Sequence, residues 1–249
     1  MLHSKVLSGL VSLAVAVALW QLAWFATGGV GFSSIADTLN RLGTIIITSV
    51  FWRSLGETLF LAMVGLAIGL VTALVVGVAL GANPYIDKAT RGTLNFLRSL
   101  PSVILLPLFM ASIGSFYSIV IYLVAAVVSF KLVVFVIKGV RDTELGLRDA
   151  AHVLRLTRAE RVTFVLLPSA AVLVATGLRL SATRAYGAVV LAGVIAGTPG
   201  IGTQIGFARL SPDAAPVLAY AIVAGALGVL IFYTFSAVEK SVVRWRIPR

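Results

Sequence analysis

The sequence contains no cysteine, and only two of its 249 residues are histidine. Without cysteine the chain can form no disulfide and offers no thiolate to a metal ion. The two histidines, His3 and His152, are far apart and do not have the spacing of metal ligands. We therefore predict no metal site. Acidic residues are scarce as well, with nine Asp and Glu against 20 Lys and Arg, so the formal charge is +11.

Apolar residues fill most of the chain instead. They make up 59% of it, the mean hydropathy is +1.05, and uncharged runs of about 20 residues recur, which indicates an all-α, polytopic membrane protein. Six spans are predicted, near 7–27, 58–82, 99–114, 117–137, 171–196 and 215–237. The first run also resembles a signal peptide, but its length suits a span better and no small-x-small cleavage site ends it. Pro101 and Pro107 predict that the third span begins as a broken helix.

The distribution of Lys and Arg orients these spans. Most of the basic residues fall in segments on one side of the predicted membrane, and only Arg41, Arg53 and Arg209 fall on the other. The positive-inside rule then places both chain ends in the cytoplasm of a bacterial plasma membrane, with the basic tail 238–249 as a topology anchor. The same rule explains the net charge without a nucleic-acid partner. The lipid bilayer is the first partner that we expect.

Two regions are predicted to lie on either side of residue 53. Residues 1–53 comprise the first span and an outer segment, in which Ser34 is a candidate N-cap for a short amphipathic helix. Residues 54–249 form the core, with five spans and a cytoplasmic loop at about 140–168. Glycines spaced four apart, such as Gly65 and Gly69, predict close helix packing within the core. The glycines after residue 196 do not form GxGxxG and predict a turn-rich or re-entrant outer loop.

The loop between spans four and five is unusually polar for this chain. Its stretch RDAAHVLRLTRAERVTFVLLPSA covers residues 148–170. One short helix is predicted at about Leu145–Leu154. A second begins at Thr157, because Thr157 and Glu160 have the spacing of a capping box. Pro168 is predicted near the first turn of the helix that enters the bilayer, where its missing N–H has no cost.

This stretch resembles the EAA loop of permease subunits of bacterial ABC importers. The family pattern is Glu-Ala-Ala, three residues, Gly, nine residues and Ile-x-Leu-Pro. Here Asp149-Ala150-Ala151 and Val165-x-Leu167-Pro168 occupy its two ends at the full spacing. The segments LRSLPSVILLPLF, GVRDTELGLRDAA and GLRLSATRAYGAVVLAGVIAGTPGIG are similar to the sulfonate, taurine and nitrate branch, from about residue 54 onward. The resemblance implies a type I importer fold with a coupling helix between spans four and five.

Three positions depart from the family pattern. Arg155 stands where the loop has glycine, and a residue with a side chain costs on the order of 1 kcal/mol in a left-handed conformation. Asp149 replaces Glu and keeps the charge. Gly193 stands where related permeases often carry an acidic residue. These departures also leave room for a heterodimer in which a paralogue keeps the standard loop.

The resemblance implies partners that this chain lacks. No GxxxxGK[ST] loop is present, so ATP and Mg²⁺ are expected on two separate ABC ATPase subunits, and the chain itself is not expected to be an enzyme or to hold a cofactor. An extracytoplasmic solute-binding protein and a second permease copy or paralogue complete the importer. The resemblance assigns ATPase coupling to the loop residues, namely Arg148, Asp149, Ala150, Ala151, His152, Arg155, Leu156 and Pro168.

Charged and hydroxyl residues inside the spans are candidates for the translocation pathway. They are Ser129, Lys131, Ser181, Thr183, Arg184 and Tyr186. An unpaired charge within a bilayer is costly and usually functional, so Arg184 favours an anionic or strongly polar solute such as a sulfonate or an oxyanion. Two alternatives stay open at this point: Lys131 can snorkel to the membrane surface, and Arg184 can pair with helix carbonyls or a partner subunit.

Two other classes of protein compete with the ABC permease. An ion-coupled secondary transporter or a channel would need no ATPase. Such carriers usually need a carboxylate inside the membrane, whereas all nine acidic residues fall at or outside the predicted span edges. A structural scaffold, or a merely basic loop, does not require Ala-Ala and Leu-Pro at a fixed spacing. The sequence therefore favours the importer permease.

Overall fold

The computed structural model describes residues 2–246, with the backbone alone at 2–10, 13, 84, 245 and 246. The end of the predicted basic tail and the side chain of His3 lie outside that description. Within it, every regular element is helical. The helices are α1 (Leu2–Thr27), α2 (Ile35–Ile46), α3 (Ser49–Gly81), α4 (Pro84–Ser99), α5 (Ser102–Ser112), α6 (Phe116–Arg141), α7 (Leu145–Val153), α8 (Arg158–Arg161), α9 (Leu167–Ala196), α10 (Ile201–Ala208) and α11 (Ala215–Arg246).

The predicted spans correspond to helices of this bundle. In the described part of the chain, α3, α6, α11 and the continuous helix that contains α9 are each long and apolar enough to cross a membrane. The bent pair α4–α5 brings the number to five. The first predicted span lies in α1, whose described apolar part is Ala14–Thr27. Helix α3 passes without a break through the predicted boundary at residues 53 and 54.

The predicted third span is a short helix, α5, joined to α4 at a sharp bend. Helix α5 has 11 residues, a length of about 16 Å, which is about half of the hydrocarbon thickness. It meets α4 at an angle of 91°. Pro101 occupies the N-cap position of α5, which confirms the predicted break there. Pro107 was expected to interrupt the helix, but α5 continues through it.

The core is built on close contact between α3 and α6. Gly65, Gly69, Gly77 and Gly81 face Val124, Val128, Val136 and Val140, respectively. A methyl group on Gly69 would lie 2.6 Å from Val128 Cβ, so only glycine permits this approach. The sequence offset is the same in all four pairs, and the two helices therefore run parallel. This is the packing that the glycine spacing predicts.

Helices α9 and α11 complete the bundle in alternating directions. Gly139 of α6 contacts Ala170 at the start of α9, and Leu132 contacts Gly177 further along, so α9 runs antiparallel to α6. Helix α11 runs antiparallel to α9 in turn, because Tyr186 Oη donates a 2.7 Å hydrogen bond to Ala224 O, whereas the earlier Arg179 pairs with the later Glu239. These relative directions agree with the alternation of spans two, four, five and six that the sequence predicts.

Pro168 differs from the prediction. The helix that contains it begins at Arg158, and α8 continues through a π-helical turn at Val162–Leu166 into α9. Proline lacks an N–H and crowds the carbonyl four residues before it. The π-helical turn just before Pro168 is wound more widely than an α-helix and so relieves this crowding. Pro168 thus lies inside a continuous helix and does not start a new one.

Candidate functional site

The polar loop leaves the bundle where α6 ends. Arg148 Nη2 donates hydrogen bonds to Val140 O at 2.7 Å and Arg141 O at 3.2 Å, which are carbonyls of the last turn of α6. Ala151 is 2% exposed. These two residues hold α7 to the bundle, and most of the remaining helix surface faces outward. Arg148 was predicted to contact an ATPase, but its guanidinium is engaged with α6.

Arg155 ends α7 in the left-handed conformation, with φ at +50°. Its N–H donates to His152 O at 3.0 Å, and the N–H of Leu156 donates to Ala151 O at 3.1 Å. This pair of bonds is the Schellman motif, whose left-handed position is usually glycine. In the part of the chain that the structure describes, Arg155 is the only residue other than glycine with a positive φ. The glycine expected at this position is therefore replaced without a change of backbone geometry.

Replacement of Arg155 with glycine should stabilise the end of α7. The substitution removes the cost of a left-handed residue with a side chain, about 1 kcal/mol, which is roughly a fivefold change in the local opening equilibrium. Amide hydrogen exchange in the detergent-solubilised protein measures this change, which should appear as slower exchange of the α7 amides. Arg155→Ala is the control, because alanine keeps the strain; equal protection in both variants would show that the side chain is responsible and the backbone is not.

The free face of α7 is small and partly apolar. Gly146, Asp149, Ala150 and Val153 lie on the side opposite Ala151, since residues three and four apart share a helix face. All four are exposed, Val153 at 82%. Leu145 and Leu154 beside them are exposed as well, at 76% and 70%. We call Gly146, Asp149, Ala150 and Val153 the α7 face. Exposed apolar side chains in a polar loop form a candidate interaction surface.

The second loop helix starts as its sequence predicts. Thr157 Oγ1 accepts a hydrogen bond from Glu160 N, and the Glu160 carboxylate accepts from Thr157 N at 2.8 Å, which completes the capping box. The two loop helices are also joined, because Arg161 Nη2 lies 3.5 Å from Nδ1 of the exposed His152. Leu156 is partly buried between them. The loop is thus an ordered helix–turn–helix.

Two of the predicted pathway residues lie on an open surface of the bundle. Arg184 is exposed on α9, in a stripe with Leu180, Gly187 and Ile195. Lys131 of α6 is partly buried, and its ammonium group donates a hydrogen bond to Arg98 O at the end of α4. Among the described residues, neither Arg184 nor Lys131 forms an ion pair with a carboxylate.

The other four predicted pathway residues lie in helix contacts. Ser129 Oγ donates within α6 to Ala125 O and lies 3.3 Å from Gly69 O of α3. The hydroxyls of Ser181 and Thr183 are buried and have no hydrogen-bond partner among the described residues. Tyr186 is 6% exposed and bonds to α11. The four hydroxyl residues therefore lie within helix contacts, whereas Arg184 lies on the open surface of α9 and Lys131 bonds to the end of α4.

Arg179 points to a different neighbour from Arg184, as expected for residues about 140° apart on a helix. Its Nε lies 2.8 Å from Glu239 Oε2 of α11, and its guanidinium lies 5.3 Å from the centre of the Phe232 ring. Thr176 Oγ1 donates to the other Glu239 oxygen at 2.6 Å. The pair ties α9 to α11, and Glu239 is engaged in this contact.

Several contacts were not predicted from the sequence. Helix α4 was not predicted, although Asn83 and Pro84 are typical of a helix start. The Asn83 side chain accepts hydrogen bonds from Tyr85 N and Ile86 N. Asp87 on α4 is 3% exposed and pairs with Arg91 at 2.7 Å and with Arg141. This buried cluster joins α4 to the end of α6.

The predicted re-entrant loop folds back as helix α10. Ile201 is fully buried, and its N–H donates a 2.8 Å hydrogen bond to the hydroxyl of Thr58 in α3. Gly202 lies against Val190 O, and a methyl group on Gly193 would be 2.8 Å from Gly202 Cα. The close approach of α10 at position 193 therefore leaves no room for the acidic side chain that related permeases often carry there.

The described residues contain no group of three or more His, Cys, Asp or Glu side chains that could hold a metal ion. The site instead consists of an exposed loop helix at one end of the bundle and two cations without a carboxylate partner among the described residues. These features suit a multi-pass membrane transport protein.

Comparison with known proteins gives the family. The chain belongs to the family "Binding-protein-dependent transport system inner membrane component", which matches residues 65–244. It is therefore a permease subunit of an ABC importer and a multi-pass component of a bacterial membrane. Membership of this family also decides against the alternative of an ion-coupled transporter or channel.

Individual relatives are distant but cover nearly the whole chain. The chain is 27% identical to a candidate aliphatic sulfonates transport permease of Bacillus subtilis over 96% of its length and 88% of the relative's. It is 25% identical to the nitrate import permease NrtB of Synechocystis, over 96% and 90%. Among solved structures, an inward-facing MetNI methionine transporter has a TM-score of 0.67 at 22% identity, over 78% of this chain and 96% of that chain. The last likeness shows the shared fold.

Proposed function

We propose that this permease imports a small anionic solute, such as a sulfonate or an oxyanion, past Arg184 and Lys131. The observation that carries the proposal is that two cations lie within the spanning helices, Arg184 exposed on α9 and Lys131 on α6, with no carboxylate paired to either among the described residues. A cation inside the bilayer is costly unless a counter-charge reaches it, and an anionic solute supplies that charge transiently. The relatives named for sulfonates and nitrate support the same class of solute.

The exposed stripe on α9 supports a second permease copy or a paralogue as partner. A stripe with Arg184 at its centre is a poor surface for lipid tails, and Gly187 allows another helix to approach closely. A second subunit placed against this stripe would enclose Arg184 and Lys131 in a pathway between the two copies.

The α7 face supports coupling to a separate ATPase that carries ATP and Mg²⁺. Gly146 and Ala150 permit close approach, Val153 offers apolar contact area, and Asp149 and His152 can form charge-assisted hydrogen bonds with the ATPase. Arg148 lies on the side of α7 that faces the bundle and bonds to the last turn of α6. A displacement of α7 by the ATPase would therefore move a spanning helix directly. Rigid movement of α6 and α9 would then open the pathway to alternate sides.

The orientation follows from the basic loop and tail. If the α7 end of the bundle is cytoplasmic, both termini are cytoplasmic, and the surface formed by α2 and the start of α10 faces outward. An extracytoplasmic solute-binding protein would deliver the solute to that outer surface.

Co-purification and uptake test this function. Tagged protein from its host should bring down an ABC ATPase, and proteoliposomes with both subunits and the binding protein should take up a sulfonate or nitrate only with ATP. Arg184→Gln should lower that uptake about tenfold or more, because one charge-assisted hydrogen bond to the anion is lost. The ATPase should remain bound.

Lys240→Gln serves as the matched control. Lys240 is also a cation, but it is exposed on another helix, α11. Uptake by this variant should stay near the wild-type value. Unchanged uptake by Arg184→Gln would contradict the anionic pathway, and absence of any ATPase from the purified protein would contradict the proposed coupling.

A further inference from the structure

A cavity of about 460 Å³ lies between α4 and α6, at the end of α6 that leads into α7. Its wall contains the side chains of Asp87, Arg91, Asn95, Lys138, Arg141 and Asp142, together with Leu94, Val134 and Ile137. The translocation face with Arg184 does not contribute to it. Lys131 does not line it either, although it lies one helical turn from Val134, so the two pathway cations and the cavity have no residue in common.

Asp87 fixes the basic wall of this cavity. The carboxylate is almost completely buried and accepts hydrogen bonds from Arg91 on its own helix and from Arg141 on α6. A guanidinium has five N–H donors, so bonds to one carboxylate leave most of them available to a second anion. Because both arginines are held by Asp87, they need little ordering when that anion binds.

The charges and the apolar residues are separated along the cavity. Lys138 lies one turn before Arg141 on α6, so three cations face two carboxylates, Asp87 and Asp142, and the cavity keeps a positive balance. Val134 lies one turn further from the end of α6 than Lys138, deeper in the bundle, and Ile137 is buried next to Lys138. A polar end at the membrane surface and an apolar end within the membrane match the two parts of a phospholipid.

We propose that this cavity binds the phosphate group of an anionic phospholipid, with Arg91, Lys138 and Arg141 as its ligands. Basic pockets between spanning helices on the cytoplasmic side are suited to such headgroups. Arginine forms paired hydrogen bonds with phosphate, and lysine adds a point charge. The proposal relies on the orientation given under the proposed function, and it goes beyond that function, since it concerns neither the solute nor the ATPase.

Because of the position of the cavity, a lipid bound there would affect transport. Asp87 and Arg141 join α4 to the last turn of α6, and Arg148 joins α7 to the same turn. A bound headgroup would strengthen the contact between α4 and α6 next to the point where α7 acts. We therefore expect anionic lipid to stabilise one arrangement of these three helices.

Native mass spectrometry of the detergent-purified permease tests the proposal. The probes are phosphatidylglycerol and phosphatidylcholine, added at equal concentrations. Phosphatidylglycerol should remain bound to the wild type in preference to phosphatidylcholine. Lys138→Gln should weaken phosphatidylglycerol binding about tenfold, because it removes one charge-assisted hydrogen bond and leaves the Asp87 ion pairs intact. Arg91→Gln should weaken it as well.

Lys88→Gln is the matched control, since Lys88 is exposed on α4 and does not line the cavity. The control should bind like the wild type. No preference for phosphatidylglycerol, or an equal loss in Lys88→Gln and Lys138→Gln, would overturn the site.

Inorganic phosphate and glycerol 3-phosphate distinguish the source of the phosphate group. If either displaces phosphatidylglycerol at millimolar concentration and protects Arg91 and Arg141 from arginine-specific labelling, a soluble anion is the ligand and the lipid assignment is overturned. Retention of the ATPase is measured in the same preparation. Loss of lipid preference with the ATPase still bound therefore contradicts only this inference, and loss of the ATPase alone contradicts only the proposed function.

Discussion

Ala150→Arg should abolish ATP-driven uptake while the spans stay folded. Ala150 is an exposed residue of the α7 face, where only a small side chain allows another protein to approach closely. An arginine there would hold the surfaces apart or bury an unpaired charge, at a cost of about 2 kcal/mol or more, which is roughly a 30-fold loss of docking affinity. Uptake into proteoliposomes and ATPase retention measure both consequences.

Ala89→Arg makes the same substitution at an exposed position of α4, outside the loop, and should leave uptake and ATPase binding close to the wild type. Ala151 is not an equivalent target. Because it is buried against the bundle, Ala151→Arg would displace α7 itself and report on folding. Normal uptake by Ala150→Arg would show that the α7 face does not dock the ATPase.

Gly202→Ala should lower the thermal stability of the bundle by several degrees. The methyl group would overlap Val190 O and crowd Gly193 Cα at 3.0 Å, and both are backbone atoms that cannot rotate away. Overpacking of this kind costs typically 1–3 kcal/mol, and α10 would have to move off α9 to relieve it. The hydrogen bond from Ile201 N to Thr58 would lengthen with that movement. Thermal unfolding of the detergent-solubilised protein measures the loss.

Gly225→Ala is the control for helix propensity, because Gly225 lies inside α11 with nothing within 4 Å of an added methyl group. Alanine stabilises an exposed helix position by up to about 1 kcal/mol relative to glycine. Gly225→Ala should thus unfold at the wild-type temperature or slightly above. Equal unfolding temperatures for Gly202→Ala and the wild type would contradict the close contact between α9 and α10.

Local features of this chain follow directly from its sequence. Long apolar runs predict α3, α6, α9 and α11, since a backbone in lipid must satisfy its hydrogen bonds within each helix. The caps are similarly local: Ser34 accepts from Asp37 N, and Thr157 and Glu160 form the predicted capping box. The family pattern has glycine at the position of Arg155, between the two loop helices, and Arg155 ends α7 there in the left-handed conformation. Each of these depends on residues a few positions apart.

The third span and the polar loop show where local rules end. Pro101 correctly predicts a break. Helix α4 before it was missed, because its residues are mostly polar and its apolar residues form a continuous face only once the segment is helical. Pro168 was assigned to a helix start, whereas a π-helical turn lets the helix continue through it. In both cases the backbone had a second way to satisfy its hydrogen bonds.

Residue types and their spacing determined that this chain spans a membrane as helices, which family of transport proteins it resembles, and which loop and cations to consider. Only the tertiary structure decided what each of these side chains contacts. It directs Arg148 to α6, Arg179 to Glu239 and Tyr186 to α11, and leaves Arg184 and Ala150 exposed. The reason is physical: the direction of a side chain depends on the rotation of its helix, and close packing at glycines distant in sequence sets that rotation.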